Sequence, residues 1–123
     1  MKSILIIDDA STVRLYHRSL LEEAGFHVDE AVNGIEGVEK ALSRTYDLFV
    51  VDVNMPKMDG YAFLREIRRR KEIHQSPAVM VSTEAEEKDR QRAFAAGANF
   101  YLVKPTKPNE LLEVAALMTG GRA

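Results

Sequence analysis

Short apolar runs recur along the chain, each closed by a polar residue and followed by an amphipathic stretch. Leu48-Phe49-Val50-Val51 ends at Asp52, and Val79-Met80-Val81 ends at Ser82. Unbroken runs of this kind, without polar alternation, predict strands covered on both faces, as in a parallel sheet. Strands are predicted over 3–8, 27–31, 47–52, 78–82 and 99–104. Between them, Val13, Tyr16, Leu20, Leu21 and Ala24 share one face of a first helix that stops at Gly25. Ile35, Val38, Ala41 and Leu42 mark a second helix, and Phe63, Leu64 and Ile67 a third. Glu84, Glu86 and Glu87 open a fourth, whose later turns carry Lys88, Arg90 and Arg92, an order that suits the helix dipole. Pro108 opens a fifth, which carries Leu111, Leu112, Ala115 and Met118. Five strands alternating with five helices predict a doubly wound α/β domain, a five-stranded parallel sheet between two helical layers. The usual flavodoxin-like strand order for this count is 2-1-3-4-5.

At 123 residues the chain fits one domain, assigned to 1–119, with 120–123 as a short tail. The run Thr119-Gly120-Gly121-Arg122-Ala123 reads as a frayed end, and no output domain is expected within this chain. A net charge of -2 gives no bulk attraction to nucleic acid or an anionic membrane. The absence of cysteine removes disulfide frameworks, thiolate metal sites and cysteine nucleophiles together. Ile4-Leu5-Ile6-Ile7 is too short for a signal peptide, and a membrane span needs about 20 apolar residues. A soluble, cytoplasmic chain is the expectation.

The polar residues that close the runs carry the chemistry. Asp8 and Asp9 follow the first strand, Asp52 ends the third, Ser82 the fourth and Lys104 the fifth. In an open α/β sheet, ligands bind beyond the carboxyl ends of the strands, where the strand order reverses. With order 2-1-3-4-5 that point lies between the first and third strands, so Asp8, Asp9 and Asp52 are predicted to meet. Two unit charges about 4 Å apart repel by roughly 4 kcal/mol near a protein surface. A hard cation removes that cost, and all-oxygen ligation favours Mg2+. With a lysine, a hydroxyl and a carboxylate nucleophile, the set suits phosphoryl transfer, where charge on the equatorial oxygens must be stabilised. The product would be a labile acyl phosphate, suited to a reversible signal.

Three segments carry a family resemblance: Asp8-Asp9, Val51-Asp52-Val53-Asn54-Met55-Pro56-Lys57-Met58-Asp59-Gly60, and Tyr101-Leu102-Val103-Lys104-Pro105. With Ser82 between the last two, in this order, they resemble the receiver domain of two-component response regulators over nearly the whole chain. Ser11-Thr12-Val13-Arg14 and Ala96-Gly97-Ala98 add a likeness to single-domain chemotaxis regulators. The resemblance implies a phosphoprotein switch rather than an enzyme acting on other molecules, one that catalyses its own phosphorylation and dephosphorylation. It implies Asp52 as phosphoacceptor, and Asp9, Asp52 and the Asn54 carbonyl as Mg2+ ligands, with Asp8 acting through water. Ser82 and Lys104 would contact the phosphoryl group, Tyr101 would be the aromatic switch, and Lys104-Pro105 would be cis. Asn54 and Glu84, two residues after Asp52 and Ser82, would tune the lifetime of the phosphorylated state. Departures are Thr106, where phenylalanine is common, and Ser82 in place of the commoner threonine.

The implied partners are a sensor histidine kinase or histidine phosphotransfer protein, and a downstream protein bound by the fourth helix, fifth strand and fifth helix. Chemotaxis is the expected pathway. Val114 and Leu117 lie off the Leu111–Ala115–Met118 line, which is open to two readings: packing against the sheet, or a partner or homodimer contact. Nucleic acid and membrane are not expected partners; the basic stretch Arg65, Arg68, Arg69, Arg70, Lys71 reads as a solvated helix end, and the three histidines lack ligand spacing. A Mg2+-dependent aspartyl phosphatase or phosphotransferase is the main rival, but the second acid it needs two residues after the nucleophile is here Asn54. A flavin or nucleotide binder would not put Asp8-Asp9-Ala10 where phosphate sits.

Overall fold

All five residues of the strand Leu48–Asp52 (β3) are buried, because β3 lies at the middle of a sheet covered on both sides. The computed structural model describes residues 1–120. Around β3 stand β1 (Ser3–Ile7), β2 (His27–Ala31), β4 (Ala78–Ser82) and β5 (Phe100–Val103), all parallel, in the order β2-β1-β3-β4-β5. The helices are α1 (Ser11–Glu23), α2 (Gly34–Ser43), α3 (Gly60–Arg69), α4 (Glu87–Ala96) and α5 (Pro108–Met118). Architecture and strand order are those predicted.

Alternation along each strand sends successive side chains to opposite faces. Leu5, Ile7, Phe49, Val51, Ala78, Met80 and Tyr101 therefore form one core with residues of α2, α3 and α4. Ile4, Ile6, Leu48, Val50, Val79, Val81 and Leu102 form the other with Leu21 of α1 and Leu111, Val114 and Ala115 of α5. Each run is unbroken in sequence because both faces need apolar residues.

The helices differ from expectation in which side chains they bury. In α1 the buried residues are His17 and Leu21, whereas Tyr16 is 40% exposed. In α2, Ile35 and Leu42 are each 44% exposed, and Gly34, Gly37, Val38 and Ala41 face the core. A Cβ at Gly37 would lie 2.8 Å from Phe63 Cε1, so glycine allows a close approach that apolar periodicity does not reveal. Glu84 precedes α4 instead of opening it; Glu86 is the N-cap, and its backbone N–H donates to the Asp89 side chain. Val114 is buried in α5 and Leu117 is 68% exposed, so the two residues divide between the two readings. Thr119 is buried and donates to the Ala115 carbonyl at 2.7 Å, so it belongs to the domain and not to a frayed end. Residues 121–123 of the expected tail lie outside the described residues.

The basic stretch ending α3 is largely committed to internal partners. Arg69 and Arg70 both pair with Glu66. Arg68 donates to the carbonyls of Gly97 and Ser76 and to Asn99, tying α3 to the loops before β4 and β5.

Gly60 opens α3 with its N–H donating to the Val53 carbonyl, and a Cβ there would overlap the Asp52 carbonyl oxygen. That neighbour is backbone of the central strand and cannot turn aside. Gly60→Ala is expected to destabilise the domain by about 1–3 kcal/mol, read from urea denaturation. A wild-type midpoint would contradict this packing.

Candidate functional site

The parallel register brings the polar strand ends together. Ile7 pairs with Val51 and Asp52 with Val81, so Asp8, one residue beyond the β1 pairing, emerges beside Asp52. Ser82 pairs with Val103, which places Lys104 beyond the last paired row. The lysine stem is long enough to reach back. Lys104 Nζ lies 2.8 Å from Asp52 Oδ1 and 3.1 Å from Asp8 Oδ2, bridging residues 52 and 96 positions away in sequence.

Carboxylate oxygens of Asp8, Asp9 and Asp52 lie within 4.8 Å of one another; Asp8 and Asp52 are buried and Asp9 is exposed. Burial pushes the Asp52 carboxyl above the ordinary carboxylate range; the Lys104 hydrogen bond opposes this, and the Asp8 charge adds to it. Burial disfavours charge on Lys104, but its hydrogen bond to Asp52 and the charges of Asp8 and Asp52 prevail and hold the ammonium above its usual range. One ammonium faces three acids. Such a hard, oxygen-only, negatively charged donor set fits Mg2+, which Asp8, Asp9 and Asp52 could hold.

The other predicted residues surround this cluster. Ser82 is buried, and its hydroxyl accepts the Glu84 N–H at 3.1 Å. Asn54 and Glu84 are both exposed, on the loops after β3 and β4. The Lys104-Pro105 bond is cis. Tyr101 is buried, with its hydroxyl donating to the Glu84 carbonyl at 2.7 Å and the Arg90 guanidinium 5.3 Å from its ring centre. The ring is thus turned inward, under the loop that carries Glu84.

The family model for the response regulator receiver domain matches residues 4–116. The chain belongs to this family. Among curated proteins it is 40% identical to the transcriptional regulatory protein ResD of Bacillus subtilis over 116 residues, 94% of this chain and 47% of that protein. The transcriptional regulatory protein SrrA of Staphylococcus aureus is 37% identical over the same shares. The chain thus spans about half the length of the curated relatives it matches. Among solved structures, the chemotaxis protein CheY4 of Vibrio cholerae superposes with a TM-score of 0.90 at 33% identity, over 96% of this chain and 98% of that one. The receiver domain of the sensor histidine kinase PA1611 of Pseudomonas aeruginosa, solved with magnesium in its active-site cleft, gives 0.89 at 30% identity over 98% of both chains.

Two residues at the edge of this receiver site are not marked by any sequence motif. His17 is buried, its Nε2 lies 2.9 Å from Thr106 Oγ1, and burial lowers its pKa. Tyr16 donates to the Thr106 carbonyl at 2.9 Å. Together they tie α1 to the loop carrying Lys104. A cavity of about 300 Å3 adjoins Lys104 and Thr106, at the position where the family commonly has phenylalanine. The available signal was the small, polar Thr106 itself, which needs a buried partner.

The raised Asp52 carboxyl sets a pH dependence. Without metal, folded Asp52 keeps its proton above the pH at which the unfolded chain has released it. Asp52 therefore adds a destabilising contribution as pH rises from the ordinary carboxylate range through its raised value. In EDTA near neutral pH, Asp52→Asn is expected to be more stable than the wild type, with the excess shrinking on acidification into that range. Urea midpoints across this range test it; parallel pH profiles for the two proteins would refute it.

Proposed function

We propose that this receiver domain is a phosphoacceptor switch that takes a phosphoryl group onto Asp52. The observation that carries the proposal is Lys104 Nζ bonded to both Asp52 and Asp8 inside a three-carboxylate cluster. An Asp52 oxygen attacks the phosphorus of a phosphohistidine, the P–N bond breaks, and the imidazole leaves and takes up a proton. Lys104 and Ser82 meet the charge on the phosphoryl oxygens. Bound Mg2+ would add positive charge against those oxygens, held by Asp9, Asp52 and the Asn54 carbonyl, with Asp8 acting through water. The magnesium in the PA1611 receiver supports this reading. The chain catalyses its own phosphorylation and dephosphorylation, with the donor supplying the phosphoryl group.

The donor is a sensor histidine kinase or a phosphotransfer protein, and the chain works in the cytoplasm. Likeness to CheY4 supports chemotaxis, whereas ResD and SrrA support a regulator coupled to transcription. The two readings share the switch and differ in its downstream target. Output passes through the α4-β5-α5 face, where Phe94, Phe100 and Leu117 are exposed, and where a partner or second copy would dock. Phosphate stabilises the Ser82–Glu84–Tyr101 connection through contacts that differ between the two states.

Acetyl phosphate with Mg2+ is expected to add one acid-labile phosphoryl group per chain, read by intact-mass spectrometry and lost in Asp52→Asn. Full labelling of that variant would remove Asp52 from its role. The phosphorylated state should be short-lived, because the exposed Asn54 and Glu84 place no apolar shield over the path of water. A half-life of many hours in native buffer would contradict this.

A further inference from the structure

The last β1 hydrogen bond to β2 runs from the Asp8 N–H to the Ala31 carbonyl at 3.1 Å, and the Asp8 carbonyl beyond it takes no strand partner. A side chain from α1 takes over. Arg14 Nη1 donates to the Asp8 carbonyl oxygen at 2.7 Å, while its Nε pairs with Glu30 Oε1 at 2.8 Å. Glu30, from β2, also receives Arg18 Nη1 at 2.6 Å, and Arg18 Nε meets Glu22 at 3.0 Å. The Arg14 side chain is only 15% exposed and that of Glu30 28%, so this is no loose surface pair.

The geometry points to Arg14 as a positioning residue for the acidic site, with Glu30 as the anion that lets it serve without repelling the metal. This rests on the Mg2+-dependent switch proposed above. The Asp8 carbonyl belongs to the planar peptide whose nitrogen is that of Asp9. Fixing the carbonyl sets the plane of that peptide, and with it the point from which the Asp9 side chain reaches the cluster. The Asp8 side chain is braced separately, its Oδ1 accepting the Ala10 N–H at 2.9 Å. A guanidinium suits the task because its planar fork can hold a carbonyl and a carboxylate at fixed angles. An uncompensated cation here would compete with a divalent ion, and the Glu30 carboxylate neutralises it at contact distance. Second partners of this kind commonly change metal affinity by roughly 10–100-fold.

The test is Mg2+ titration calorimetry on the full chain, beside initial rates of phosphorylation by acetyl phosphate as Mg2+ is varied. Arg14→Met is expected to weaken Mg2+ binding by roughly tenfold and to raise the half-saturating Mg2+ concentration in parallel. Its plateau rate at saturating Mg2+ should stay near wild type. Glu30→Gln should weaken Mg2+ binding too, through the exposed charge of Arg14, and added salt should shrink that loss. Should Arg14→Met fail to fold, the salt-dependent loss in Glu30→Gln carries the test. Unchanged Mg2+ affinity in the folded variants would overturn the inference, as would a lost plateau rate with normal affinity. A wild-type chain that binds no Mg2+ would overturn both this inference and the switch it rests on.

Discussion

One ammonium shared between two buried carboxylates determines how the carboxyl end of the sheet is built. Lys104 reaches Asp52 and Asp8 because it stands one residue beyond the end of β5, its backbone N–H held by the Ser82 carbonyl and its long side chain free to reach back. Without that cation the buried pair would repel at short range. With it, the cluster still carries excess negative charge, since Asp9 stands within reach and no second lysine bridges it among the described ion pairs. The site is thus folded yet electrostatically incomplete. That condition suits a domain whose proposed signal is the arrival of a cation and a phosphoryl group.

Holding such a site open needs support from outside it, and much of that support comes from α1. Arg14 braces the Asp8 peptide, while Tyr16 and His17 hold the Thr106 segment just beyond Lys104. The two sides of the cleft are therefore tied to one rigid helix. Leu21 anchors that helix to the core of the opposite face.

The helix nearest the proposed output is attached differently. Among the described residues, α4 buries only Ala93 and Ala96, and its arginines lie over tyrosines: Arg92 4.1 Å from the ring centre of Tyr61, and Arg90 5.3 Å from that of Tyr101. Cation–π contacts at such sites are each worth about 0.5–1 kcal/mol. Shallow alanine packing with two modest contacts leaves α4 held by far less buried surface than α3, which inserts Tyr61, Phe63, Leu64 and Ile67. A small change at Ser82 or Tyr101 thus meets little resistance there, which accords with the proposed output face.

Much was legible in the order of residues alone. Unbroken apolar runs require a sheet covered on both sides, and the polar residue closing each run must emerge at its carboxyl edge. The fold class, the meeting of Asp8, Asp9 and Asp52, and the approach of Lys104 all arise from that local pattern. The tertiary structure decided which side chains are buried where helices meet the sheet. Gly37 rather than Ile35 faces the core because Phe63 fills the space a Cβ would need. His17 lies inside and Tyr16 at the rim because Thr106, far away in sequence, offers a hydroxyl to one and a carbonyl to the other. Arg14 turns toward Asp8 because Glu30 on a neighbouring strand balances its charge. Periodicity reports the apolar content of a helix face, whereas these placements depend on the shape and polarity of non-local partners, which only the folded chain brings together.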